Sequence, residues 1–422
     1  MAQSSSKQWI LLAAGSKGWD NYRHQADVCH AYHIARKNGI PDEQIVVMMY
    51  DDIAYHEDNP CKGVVINVPR GENVYQGVPK NYTGDDVSAD NFLAVLCGDE
   101  SAITKRGTKK VIESGCNDTI FIYLSDHGSQ GIFSFPKTHL YSPDLINTIG
   151  EMSRNKRFSK MAIFVESCHS GSMLNSLPES INVYGVCASL PSQLSYACFY
   201  DEKRNTFLSD VFSTLWMAHT EKYDLENVTL QDQFVYIEKN MKMQMQKHGH
   251  QCTPKQYGNK DLSSMTISEF LGKSVSRSSA ESLSGKNSAL THITPSFNVS
   301  LILQENRIHA TKDQKKKAHL QKQYEELLER REHVKKTVAH IVRSISESLV
   351  ERSLNERYSP TRVCELKVVS EHFRTCCYDW HDAKYEHVLE HFHVFVNLCE
   401  LGVPVERIKG AITRVSKNLP RN

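Results

Sequence analysis

Two apolar runs, each ending in a turn that carries a reactive side chain, constrain this chain most. Thr119-Ile120-Phe121-Ile122-Tyr123-Leu124 leads into Ser125-Asp126-His127-Gly128. Met161-Ala162-Ile163-Phe164-Val165 leads into Glu166-Ser167-Cys168-His169-Ser170-Gly171. Short continuous apolar runs read as strands buried on both faces, as in a mostly parallel sheet. In open sheets of that kind, chemistry gathers beyond the carboxyl ends of the strands. A thiol becomes a competent nucleophile when a nearby base or cation supports the thiolate. Cys168 is therefore the candidate nucleophile and His127 its proton partner.

The flanking pattern gives the architecture. Further strands are expected at 9–14, 45–50 and 182–186. Helices are expected at 22–38, 88–97, 101–114, 142–154, 206–219 and 228–247. Residues 1–272 thus read as an α/β domain, a mostly parallel sheet flanked by helices. A Ser-rich stretch opens a linker over 273–311. Residues 312–422 read as all-α, with helices at 312–352, 364–400 and 403–416. Leu320, Leu327, Val334, Val338 and Ile341 fall on one face of the first of these.

The 422 residues carry a net charge of only +1, which gives no reason to expect nucleic acid or an anionic membrane as partner. The balance hides a split. Residues 1–272 hold 25 Lys and Arg against 31 Asp and Glu, a net −6, whereas 273–422 hold 25 against 18, a net +7. Opposite halves attract, and the attraction weakens as carboxylates protonate. No stretch is apolar for long enough to span a membrane. The first seven residues are polar and do not read as a secretory signal. Four glycosylation sequons begin at Asn81, Asn117, Asn227 and Asn298. Of twelve cysteines, Cys364, Cys376, Cys377 and Cys399 cluster near the C-terminus, a grouping compatible with an oxidising compartment.

Other blocks then become readable. Residues 21–32 (Asn21-Tyr22-Arg23-His24-Gln25-Ala26-Asp27-Val28-Cys29-His30-Ala31-Tyr32) form one. Met48-Met49-Tyr50-Asp51-Asp52-Ile53-Ala54 forms another, and His372-Phe373-Arg374-Thr375 with Val396-Asn397-Leu398-Cys399 lies in the tail. Together with the two turns, they closely resemble the legumain family, asparaginyl endopeptidases of caspase-like fold, over nearly the whole chain. The resemblance implies a cysteine endopeptidase zymogen that cleaves after Asn, and after Asp at acidic pH. Its helical prodomain is released by acid-triggered self-cleavage in a lysosomal, endosomal or secreted setting.

It also implies roles. Cys168 attacks, His127 moves the proton and Asn21 orients His127. Gly128 and Cys168 N–H groups hold the oxyanion. Arg23, His24, Glu166, Ser195 and Asp210 form the pocket for the P1 side chain. A cation and a carboxylate there read both ends of an amide. Implied besides are a processing bond near Asn306, a Cys364–Cys399 disulfide and cystatin-type inhibitors as partners. No cofactor and no metal are implied.

The sequence departs from the family at His169, usually Glu, and in the 185–195 stretch near the groove. Two other readings stay open: a paralogue of weak or no activity that acts by binding, and a peptide ligase that captures the thioester with an amine. A rival motif, His387-Val388-Leu389-Glu390-His391, matches an H-x-x-E-H zinc pattern. A solvated or domain-interface face is the expectation there.

Overall fold

The computed structural model describes residues 6–104, 109–273 and 290–419. In chain order, strand β1 (Gln8–Ala14) leads to helix α1 (Tyr22–Lys37), β2 (Ile45–Met48) and α2 (Ala89–Cys97). Next come β3 (Thr119–Ser125) and a small antiparallel sheet of β4 (Gly128–Ser129), β5 (Ile132–Ser134) and β6 (His139–Tyr141). Then follow α3 (Ser142–Arg154), β7 (Lys160–Glu166), α4 (Gly171–Leu174) and β8 (Val183–Cys187). The hairpin β9 (Tyr196–Asp201)–β10 (Thr206–Asp210) precedes α5 (Val211–Lys222), α6 (Leu230–His248), β11 (Lys255–Gly258) and α7 (Ser268–Leu271).

The main sheet runs β11-β8-β7-β3-β1-β2 and is parallel except for β11. Both faces are covered. Ile10 and Leu12 pack toward Tyr22 and Ala26 of α1 and Phe212 and Trp216 of α5. Trp9 and Leu11 pack on the opposite side toward Phe92 of α2 and Leu145 of α3. Successive side chains on a strand point to opposite faces, so a doubly covered strand must be apolar throughout. That is the pattern the sequence carries.

The tail follows as β12 (Thr294–Pro295), α8 (Val299–Ala310), α9 (Gln314–Ile345) and α10 (Val350–Asn355). It ends in α11 (Val363–Cys376), α12 (His393–Glu400) and α13 (Val405–Ser416). Its core joins Val334, Val338 and Ile341 to Leu366, Phe373, Phe395 and Ile412. Leu320 and Leu327 are only half-buried. That cluster also contains Ile132, Tyr141 and Cys168, so the tail packs directly on the first domain.

Several expectations are corrected. Residues 206–219 are not one helix: Thr206–Asp210 is a strand paired with β9, and the helix starts at Val211. Within 101–114 the only helical piece among the described residues is a 3-10 turn at Glu100–Ala102, whose N-cap Asp99 accepts from Ser101 and Ala102. Beyond it, the Ile112 N–H donates instead to the Val95 carbonyl. The first tail helix stops at Ile345, where Ser346 adopts extended backbone. The expected linker contains β12 and α8; its Ser-rich part, 274–289, lies outside the described residues.

Ile122 is fully buried at the centre of the middle strand. Ile122→Ala is expected to cost about 2–5 kcal/mol by loss of transfer free energy and cavity formation. Urea unfolding of the Cys168→Ser background measures it.

Candidate active site

Strands β3 and β7 are parallel neighbours with Ser125 in register with Glu166. His127 and Cys168 each lie two residues beyond that registered pair. The register alone therefore brings them to the same rim of the sheet. Gly128 approaches the nucleophile's backbone closely: a Cβ there would meet the Cys168 carbonyl at 2.7 Å and Ser167 Oγ at 2.8 Å. Both candidate oxyanion donors thus belong to one tight junction. Gly15, at the end of β1, leaves room for Asp126, whose carboxylate would lie 2.4 Å from a Cβ at that position.

Helix α1 starts at the same rim. Asn21, Arg23, His24 and Asp27 are all buried there. Spacings of three and four residues bring Arg23, His24 and Asp27 to one side of the helix. Asn21 Oδ1 lies 2.8 Å from His127 Nε2. An amide oxygen only accepts, so Nε2 carries the hydrogen and Nδ1 is left as the base. His127 Nδ1 has no hydrogen-bond partner. Burial, then the charge of Arg23, holds His127 well below the usual imidazole range. Cys168 is fully buried, and that burial pushes its thiol up to about 11. The resting pair is therefore neutral thiol and neutral imidazole. Ser195 lies against the sulfur, its N–H 3.2 Å and its hydroxyl 3.6 Å from Sγ.

Arg23, His24, Glu166 and Asp210 assemble into one buried cluster. Arg23 Nε donates to Asp210 Oδ1 at 2.9 Å. His24 Nδ1 lies 2.7 Å from Ser16 Oγ and 3.2 Å from Asp126 Oδ1, and its Nε2 lies 3.6 Å from Asp210 Oδ2. Glu166 Oε2 accepts from the Ser213 N–H at 3.0 Å and from its hydroxyl at 3.1 Å. Burial raises the proton affinity of Glu166 and Asp210; the Asp210 and Asp27 carboxylates add to it at Glu166, and Arg23 opposes it at Asp210. Three buried atoms are left without hydrogen-bond partners: Arg23 Nη2, Glu166 Oε1 and Asp210 Oδ2. Unmet buried polar atoms cost free energy, and one donor beside two acceptors complements a primary amide.

The tail closes this site. Phe297 stacks on the His127 ring with centroids 6.3 Å apart and planes at 14°. Glu386 Oε1 accepts from Asn21 Nδ2 at 3.0 Å and lies 3.3 Å from His127 Nε2. The Ser296 N–H donates to the Ser195 carbonyl at 3.0 Å, and Thr294–Pro295 pairs antiparallel with β9. Cross-domain ion pairs Asp20–Arg307 at 2.7 Å and Asp144–Lys367 at 3.0 Å follow the charge split of the sequence. A cavity of about 390 Å³ remains between His127, Arg331 and His387.

Sequence reasoning missed Glu386, Phe297, Asp126 and Asp27. Asp27 had a signal, lying four residues after Arg23 on the same helix. Glu386 and Phe297 had none, because only docking brings them here.

Other expectations fare unevenly. Asn306 lies inside α8 and hydrogen-bonds Tyr200, so its peptide bond is not extended as a protease requires. Cys364 is exposed and Cys399 buried, and both are free thiols in this structure. Asn117 and Asn227 are exposed. Asn81 Oδ1 instead accepts from the Val47 N–H at 2.9 Å, and Asn298 Oδ1 accepts from Arg331 at 3.3 Å beneath α9. The His387–His391 segment belongs to a 3-10 helix, Ala383–His391. At three residues per turn, positions four apart do not share a face, so the zinc pattern does not assemble. Among the described residues, His24, Asp126 and His127 are the one group with ligand atoms mutually within 4.8 Å. These are groups of the site itself.

The peptidase C13 family matches residues 8–273 of this chain. Legumain of Pongo abelii and legumain of Homo sapiens are each 45% identical to it over 417 residues, covering 98% of this chain and 94% of theirs. A solved caspase-1 from Spodoptera frugiperda aligns with 64% of this chain and 92% of its own, at 10% identity and a TM-score of 0.38.

The neutral, covered thiol has a chemical consequence. In the intact chain at neutral pH, iodoacetamide is expected to leave Cys168 unmodified while it alkylates exposed Cys116 and Cys364. Peptide mass mapping checks this; rapid labelling of Cys168 would contradict the closed site.

Proposed function

The chain belongs to the peptidase C13 family and is a cysteine endopeptidase, and on that premise we propose that it hydrolyses bonds after asparagine, as a zymogen opened by acid. The observation that carries this is the pocket of Arg23, Glu166 and Asp210, with one unmet donor and two unmet acceptors.

In the proposed reaction, an extended substrate replaces Thr294–Pro295 beside β9 and lays its P1 amide in that pocket. Arg23 Nη2 donates to the side-chain oxygen; the carboxylates accept from its NH₂. Glutamine is one methylene too long for the same contacts. Aspartic acid enters once its carboxyl is protonated, since it then offers an O–H in place of N–H. His127 Nδ1 takes the Cys168 proton as the sulfur attacks the carbonyl carbon. The N–H groups of Gly128 and Cys168 receive the developing oxyanion. His127 then gives the proton to the leaving amine, and water hydrolyses the thioester. Asn21 keeps the ring in the required tautomer throughout.

The tail supplies inhibition. It fills the substrate's place, and its Glu386 binds the histidine and its orienting amide together. The pH dependence of docking follows from the groups it buries. Burial lowers His127 and His139 well below their usual range, and brings His169 down to about 4 and His387 to about 3. A released histidine titrates near 6.5. Below that value the released state binds more protons than the docked one, so acid favours release. Glu386 has the opposite sign. Burial raises it to about 7, so the docked state gains a proton there as pH falls. Glu386, and Asp126 beside it, oppose the imidazoles of His127, His139, His169 and His387, and on this reading release is the net outcome in an acidic compartment such as the lysosome. No described helix is long and apolar enough to cross a membrane.

Two measurements test this reading. After acid treatment the chain is expected to cleave an Asn-P1 peptide and to reject its Leu-P1 analogue by about 10⁴ in kcat/KM, because the leucine leaves buried polar groups unmet. Cys168→Ser is expected to abolish turnover, and turnover without preference at P1 would remove the pocket assignment. In the Cys168→Ser chain, protection of α11 and α12 against hydrogen exchange, taken relative to the intrinsic rate at each pH, is expected to fall as pH drops from about 6.5 to about 4. Protection that is flat with pH would show that the interface histidines do not govern docking.

A further inference from the structure

Asp27 takes no part in the reaction as described, yet it lies in the middle of the charge cluster beneath the P1 pocket. It is fully buried. Its Oδ1 accepts from Asn67 Nδ2 and from Ser209 Oγ, both at 2.7 Å. Its Oδ2 has a long contact, 3.4 Å, from Ser125 Oγ, and the Ser213 hydroxyl also lies within hydrogen-bonding reach of the carboxyl group. Asp27 also lies within hydrogen-bonding reach of Asp210.

The groups facing it are Arg23 on its own helix, Asp210 from β10, Glu166 from β7, Tyr123 from β3, and the thiols Cys29 and Cys198. Arg23 is the one cation of this set, and its Nε is committed to Asp210. Three buried carboxyl groups around one guanidinium cannot all be ionised without uncompensated charge in a dry interior. Two carboxyl groups in contact resolve the conflict by sharing a proton. Asp210 is the member paired with Arg23 and so keeps the charge. On Asp27, Oδ1 is saturated by two short donors, which leaves Oδ2 to carry the proton.

We infer that Asp27 is a positioning residue of the P1 pocket: it holds a proton on Oδ2 and donates it to Asp210, fixing that carboxylate, with its charge, against Arg23 and leaving a second lone pair of Asp210, with Glu166 Oε1, to accept from the amide. The inference rests on the reading of Arg23, Glu166 and Asp210 as the P1 pocket. Its consequence is functional. Loss of the shared proton sets a second anion against Asp210 and gives Arg23 two competing partners, so the frame that reads the amide is lost. The alkaline limit of Asn-P1 cleavage is therefore set in part by Asp27, which touches no substrate.

Asp27→Asn keeps the shape and keeps an N–H where the acid held its O–H, and it cannot ionise. On the tail-released enzyme, its kcat/KM for an Asn-P1 peptide at acidic pH is expected to stay within about threefold of the parent. The alkaline limb of the pH profile is expected to move up by about one pH unit. Ser209→Ala keeps the acid but removes an anion-stabilising donor, and it is expected to move the limb in the same direction. Infrared spectra of the intact Cys168→Ser chain at neutral pH are expected to contain a protonated-carboxyl band that Asp27→Asn removes. An unmoved limb in both variants, or a protonated-carboxyl region that Asp27→Asn leaves unchanged in the difference spectrum, overturns the inference. Failure of the parent enzyme to cleave Asn peptides would instead remove the pocket reading, and the infrared comparison would still decide where the proton sits.

Discussion

The register between two neighbouring parallel strands is the constraint on which this site depends. Because Ser125 pairs with Glu166, the residues two steps further on, His127 and Cys168, leave the sheet side by side. Nothing in the side chains themselves enforces that meeting. It comes from a ladder of backbone hydrogen bonds held in place by apolar residues on both faces. A slip of one residue would turn every core side chain of β3 to the wrong face. The register is therefore specified by the same burial that stabilises the domain, and catalytic geometry follows from the core.

Around that rim the molecule buries an unusual amount of charge. Arg23, Asp27, Glu166 and Asp210 are all essentially inaccessible. Buried charges survive only when paired, hydrogen-bonded or neutralised. Arg23 and Asp210 pair directly, Ser213 satisfies one oxygen of Glu166, and Asn67 with Ser209 satisfies one of Asp27. Arg23 Nη2, Glu166 Oε1 and Asp210 Oδ2 are left over. On the proposed reading they are kept open for an amide, and the folded chain bears that cost.

The tail covers the site without dismantling it. The His127–Asn21 and Arg23–Asp210 contacts stay assembled beneath it. Phe297 and the apolar residues of the tail take the sulfur and imidazole out of water, which favours their neutral forms. Glu386 occupies hydrogen-bonding positions that belong to the active arrangement. The ion pairs at the rim of the interface are exposed and few, and pairs of that kind contribute little each. Apolar burial, with many imidazoles kept neutral, dominates the interface.

Much of this was legible before any coordinates. The apolar runs around 122 and 163 require doubly covered parallel strands, and their ends mark the chemistry. The block beginning at Asn21 places charged residues where an ordinary helix would be apolar, and the structure gathers Arg23, His24 and Asp27 under the pocket. Local pattern failed where two conformations suit the same residues: Thr206–Asp210 became a strand because β9 was available to pair with it. It failed again at the 3-10 segment Ala383–His391, where helical periodicity implied a shared face that does not exist. The sequence by itself determined which side chains are reactive and which segments must be buried, since both follow from chemistry carried along a few consecutive residues. Only the tertiary structure decided that Glu386 and Phe297 close the site and that Asp27 meets Asp210. Those meetings join residues far apart in the chain, and no local preference encodes them.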